Sequence, residues 1–188
     1  MPDVQMASAI DIVGRFQSEF EALGGRVHIA RTRDDAIESV GKLLSGRVRS
    51  VHASRGLMPP LAERLRKFGI EVLDDSRPDD YSEPGTGITE AQYAVASAGC
   101  IVEIADEEAT RLASAATLLH VAILDSANII ENLAGLAPII RRSLGVSGRK
   151  PVITLISGPS RTSDIELKDV VGVHGPNEVH VVVYGDTL

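Results

Sequence analysis

The period of the apolar positions changes repeatedly along this chain, and each change marks a new element. Between Ala7 and Leu23 the residues Ile10, Val13, Phe16, Phe20 and Leu23 recur every three or four positions, which lays one apolar stripe along an amphipathic helix. Gly24-Gly25 ends it. Arg26 to Arg31 alternates, with Val27 and Ile29 on one face, as a half-buried strand does. Thr32 followed by Asp35 is a helix-start signal, and Ile37, Val40, Leu43 and Leu44 supply the buried side of the helix it opens. Arg49 to Ser54 predicts a strand, Pro59-Pro60 opens a helix carrying Leu61, Leu65 and Phe68, and Ile70 to Leu73 predicts another strand.

Beyond Leu73 the composition changes to DDSRPDDYSEPGTG, a polar stretch that reads as a surface excursion or a flap near a site. Thr89 and Gln92 have capping-box spacing and predict a short helix through Ala96 that stops near Gly99. Cys100 to Ala105 and Leu118 to Leu124 are apolar runs of buried-strand type, separated by an acidic turn and an Ala-rich helical piece. Asn132 can cap a helix reaching Leu144, which Pro138 either kinks or begins. Val152 to Ile156 and Glu178 to Tyr184 are further strands, and Asp164 to Leu167 can begin a helix between them.

This alternation predicts an α/β fold with a mostly parallel sheet and helices on both faces, the last strand being a candidate to run against the others. At 188 residues one domain, 1–188, is the expectation, with a short N-terminal helical segment at about 7–23. Ligands of open α/β sheets lie beyond the C-terminal strand ends. Three loops are therefore expected to converge: Ser54-Arg55-Gly56, the segment from Gly87 through Thr89 to Gly99, and Gly158 to Ser163.

Composition narrows the function. A net charge of -7 and few aromatics, none of them Trp, argue against nucleic acid, which needs clustered cations and stacking surfaces. The single cysteine, Cys100, excludes an internal disulfide and an iron-sulfur cluster held by this chain alone. With no apolar run of membrane-spanning length and no leader-like N-terminus, a cytoplasmic protein is expected.

The candidate chemistry centres on the stretch from Pro151 to Gly175. A strand emptying into Gly158-Pro159-Ser160-Arg161-Thr162 ahead of a helix start concentrates unpaired N–H groups, which suits an anion. On that reading Gly158, Ser160 and Thr162 present donors to a carboxylate or phosphate and Arg161 clamps it. The competing reading pairs Arg161 with Asp164 or Glu166 inside the domain, and the residue types leave the two even. Asp164, Glu166 and His174 are candidates for acid-base work. His28, His52, His120 and His180 read as structural, and no metal or cofactor is expected.

LISGPSRTSDIE followed by GVHGPNEVHVVVY resembles the C-terminal signature of the LUD domain family, that of the lactate utilization protein C, and GITEAQYAVASAG resembles its middle motif. The resemblance implies a fold like that of the NagB/RpiA/CoA-transferase group. It also implies a role beside iron-sulfur subunits that oxidise L-lactate to pyruvate, with this chain as the cluster-free subunit or accessory protein. A free-standing CoA-transferase-like or sugar-phosphate-isomerase-like enzyme is the alternative. Ser97-Ala98 stand before Gly99 where the family commonly has an acidic residue and a Thr, which weakens the case for independent catalysis. Glu103 is a weak substitute for the missing carboxylate.

Overall fold

A computed structural model describes residues 9–54, 57, 60–73, 85–145, 151–162, 170–171 and 175–185. The first half follows the apolar pattern: α1 (Ala9–Ala22), β1 (Arg26–Ala30), α2 (Arg33–Leu44), β2 (Ser50–Ala53), α3 (Pro60–Arg66) and β3 (Glu71–Val72). Thr32 caps α2 through a reciprocal capping box with Asp35, which satisfies donors that a helix start leaves open. The stripe on α1 buries Phe16 and Phe20 completely, with ring centroids 5.4 Å apart. Burial of each ring contributes about 1.5–3 kcal/mol.

The second half holds β4 (Thr86–Ala91), β5 (Tyr93–Val95), β6 (Cys100–Ala105), α4 (Glu108–Ala115), β7 (Leu119–Asp125), β8 (Ile129–Ile130), α5 (Leu133–Gly145), β9 (Val152–Ile156), β10 (Arg161–Thr162), β11 (Val170–Val171) and β12 (Glu178–Tyr184). The six-stranded sheet, in the order β1-β12-β7-β4-β2-β3, is parallel throughout. The last strand therefore does not oppose its neighbours. It lies between β1 and β7, where its Val-rich run meets a buried two-sided environment.

The helix expected from Thr89 to Ala96 is absent, because Thr86 to Val95 forms β4 and β5 instead. Thr89 sits between β2 and β7, and its capping-box partner does another job. The Gln92 amide donates to the Glu90 carbonyl at 2.8 Å and accepts the Ile104 N–H at 2.6 Å, which ties the turn between β4 and β5 to β6. Only Ala96–Ala98 coils, as a single 3₁₀ turn ending at Gly99. Pro138 lies inside α5, and Asn132 accepts the Gly135 N–H at 3.2 Å at its start.

β9 is the second departure. It belongs to a separate four-stranded sheet, β8-β5-β6-β9, antiparallel to β6. Helices α2 and α3 pack one face of the parallel sheet around Ile37, Leu61, Leu65 and Val121. The other face meets α1 and the inner side of the second sheet around Phe16, Phe20, Ile101 and Val181. The outer side of the second sheet carries α5 through Val102 and Leu136. Among the described residues no helix is long and apolar enough to cross a membrane.

Candidate functional site

Gly87 and Thr89 of the middle motif lie inside the fold. Gly87 is where α4 crosses β4, so closely that a Cβ there would stand 1.7 Å from the Ala113 carbonyl oxygen. Thr89, two residues on, faces the same side of the sheet and shares a 2.8 Å hydrogen bond with His120 Nε2. Both side chains are fully buried, and burial lowers the imidazole to about 4. Glu103 on β6 accepts the Ser114 hydroxyl of α4 at 3.0 Å. Burial pushes its carboxyl up, against the Ser114 and Thr89 hydrogen bonds and the Arg111 charge. The cluster ties β4, β6, β7 and α4 together away from solvent, and Glu103 belongs to it.

The signature loop lies at the opposite end of the sheet from the C-terminal strand ends. Because β9 runs antiparallel, it delivers Gly158 to Arg161 to the place where α1 ends and β12 begins. Arg161 donates to the Leu23 carbonyl at 3.1 Å, one of the carbonyls left open at the end of α1. Gly158 packs against that same carbonyl, and a Cβ there would stand 2.8 Å from it. The Ser160 amide donates to the Pro176 carbonyl at 2.9 Å. Gly99, left-handed at φ +53°, packs on the α1 backbone at Glu19 and Phe20.

Arg161 and Thr162 form β10, which pairs antiparallel with β11. Asp164, Glu166 and His174, with the expected helix start from Asp164 to Leu167, lie outside the described residues. The described parts of the three loops thus do not meet at one place. Ser54, at the C-terminal end of β2, donates its N–H to the Ile88 carbonyl of β4 at 3.0 Å, far from the signature loop at the other end of the sheet, and its buried hydroxyl is without a partner among the described residues.

At the C-terminal strand ends a cleft of about 410 Å³ opens. Glu90 ends the polar side of β4, Asp125 ends β7 and Tyr184 ends β12, over a floor that includes Ala91, Tyr93 and Ile104. Arg33, in the first turn of α2, pairs with Glu90 at 3.1 Å. Asp125 accepts the Ala127 N–H at 2.9 Å. Burial and the Asp125 charge raise the Tyr184 phenol, against the positive charge of Arg33. The arrangement offers two carboxylates, a protonated phenol and the Asn128 amide to one small volume. Glu90 and Tyr93 lie in the middle motif and Tyr184 closes the C-terminal signature, whereas Asp125 and Asn128 belong to neither. The signal for Asp125 and Tyr184 is the first polar side chain after an apolar strand run, as in Ile123-Leu124-Asp125 and Val182-Val183-Tyr184.

The parallel sheet with flanking helices defines an α/β protein whose open face lies at those strand ends. More particularly, the chain belongs to the LUD domain family, whose match covers residues 13–184. It is similar to the lactate utilization protein C of Halalkalibacterium halodurans, 29% identical over 131 residues, 67% of this chain and 57% of that protein. It is also similar to the lactate utilization protein C of Geobacillus kaustophilus, 26% identical over 175 residues, 81% of this chain and 73% of that protein. The chain thus spans a little over half the length of the Halalkalibacterium protein. A crystal structure of a DUF162 family protein from Deinococcus radiodurans has a similar fold, with a TM-score of 0.65 at 18% identity, covering 95% of this chain and 99% of that one.

Proposed function

We propose that this chain serves L-lactate utilization as a cluster-free component, working in the cytoplasm beside an iron-sulfur partner. The observation that carries the reading is the family match over residues 13–184, together with relatives named lactate utilization protein C. Oxidation of lactate to pyruvate releases two electrons and two protons, and the electrons need an acceptor. Cys100, the one cysteine in the chain, is buried and its thiol is pushed up by burial. The chain therefore does not supply the thiolates of a cluster, and a partner supplies them.

Partner binding is favoured over anion binding by how the cations are engaged. Arg161 is held by the Leu23 carbonyl and Arg33 by Glu90, so each would have to leave a partner to clamp a carboxylate. Asp164, Glu166 and His174 remain signature positions to be tested by substitution. The test is deletion of the gene followed by growth on L-lactate as sole carbon source. Loss of growth, restored by this chain together with co-purification of an iron-sulfur protein, supports the reading, whereas undiminished growth sinks it. The alternative, a CoA-transferase-like enzyme acting alone, draws on the cleft at the strand ends. Thioester exchange by the purified chain would establish it.

A further inference from the structure

We infer that the cleft at the C-terminal strand ends binds a neutral ligand bearing a vicinal diol, either a free sugar or the ribose of a nucleoside. This goes beyond the lactate reading and does not depend on it. Three features of the cleft carry the inference.

Its charge comes first. Glu90 and Asp125 are the charged residues that line the cleft among the described residues, and Glu90 is paired with Arg33. Asp125 leaves an unpaired negative charge on the lining, which repels a carboxylate or phosphate brought into the same volume.

The hydrogen-bonding capacity comes second. A carboxylate only accepts, through two oxygens. Glu90 Oε1 is engaged by Arg33 at 3.1 Å and Asp125 Oδ1 by the Ala127 N–H at 2.9 Å. The second oxygen of each remains open to a ligand among the described residues. The Gln92 amide is closed to it, since both of its ends are bonded to backbone. The preferred ligand is therefore a donor of hydrogen bonds, and adjacent hydroxyls donate to a carboxylate without adding charge. An acidic side chain at the end of a parallel strand accepts ribose hydroxyls elsewhere in α/β proteins for this same reason.

Size and floor come third. About 410 Å³ is far more than a three-carbon acid fills. Ala91, Tyr93 and Ile104 give an apolar floor for the C–H face of a sugar ring or the face of a base.

Calorimetric titration of the intact chain with D-ribose, adenosine and AMP tests the inference, with lactate as a fourth arm. Binding of ribose or adenosine at a single site is the expected result, with AMP and lactate at least about tenfold weaker. Ribose binding as well as adenosine identifies a sugar site, and adenosine binding better identifies a nucleoside site. Asp125→Asn keeps the oxygen that accepts the Ala127 N–H but loses the charge, and is expected to weaken binding about tenfold or more. Glu90→Gln repeats the test from the neighbouring strand, with thermal melting showing that each variant is folded. No binding of ribose or adenosine by folded protein at about 10 mM, AMP or lactate binding as tightly as adenosine, or binding untouched in both folded variants would each overturn the inference.

Discussion

The imidazole of His120 meets the hydroxyl of Thr89 at 2.8 Å in the interior of the parallel sheet, with both side chains fully buried. His120 Nδ1 has no partner among the described residues, so a second proton on the ring would have no acceptor. Burial accordingly lowers the folded pKa from 6.5 to about 4. Between those values the unfolded chain binds a proton that the folded chain does not. The stabilisation is complete above pH 6.5 and is lost as the pH falls toward 4, to a total of about 3 kcal/mol. Urea unfolding between pH 4 and 7 measures it, and His120→Gln is expected to flatten the slope across that window.

Glu103 produces the opposite pH dependence. Its folded pKa is raised by burial above the ordinary 4.5, so the group costs nothing while protonated in both states and destabilises the fold as pH rises past 4.5. Glu103→Gln keeps an acceptor for the Ser114 hydroxyl and removes the ionisation. The variant is expected to be more stable than the parent at pH 8, with the gain vanishing near pH 4. An equal gain at both values would show that ionisation is not the cause.

At Gly87 the limit is space. A methyl group would stand 1.7 Å from the Ala113 carbonyl oxygen, and the obstacle is helix backbone, which cannot swing aside as a side chain can. Gly87→Ala must push α4 off β4, at a cost of about 3 kcal/mol or more. A fall in Tm of only a degree or two would contradict this packing.

Arg161 serves as a brace for α1 in the described structure. Its guanidinium is exposed and donates to the Leu23 carbonyl at 3.1 Å, a bond of the kind that contributes about 1 kcal/mol at a helix end. Arg161→Ala is expected to lower stability by about that amount and to speed amide exchange in the last turn of α1. Unchanged exchange there would leave Arg161 available as the anion clamp that its sequence context suggests.

The separation of the two ends of the sheet explains what the sequence could and could not say about the site. Ser54 was legible as a loop position at a strand end, and Gly87, Thr89, Gly99, Gly158, Ser160, Arg161 and Thr162 as motif positions, because glycines and polar residues stand out against apolar runs. The described geometry engages Gly87 and Gly99 in close packing, Thr89 with His120, and Arg161 with the end of α1. Asp125 lies outside the motifs, and that it shares a cleft with Glu90 and Tyr184, which lie inside them, was not legible, since one polar residue after a strand is ordinary until three such strands lie side by side.

The sequence alone determined the elements whose cause is local. The stripe of α1, the capping box of α2 and the apolar runs of β7 and β12 follow from periodicity and side-chain chemistry within a few residues, and they suffice for the α/β class. Tertiary structure decided the rest through partners distant in the chain. Thr86 to Val95 became strand because β2, β6, β7 and β8 offered ladders and Ile104 took the Gln92 side chain. β9 left the parallel sheet for β6, and that one antiparallel pairing carried the signature loop away from the C-terminal edge. Pairing partners are set by the burial of whole faces, and no stretch of sequence read by itself contains the other half of the face it buries.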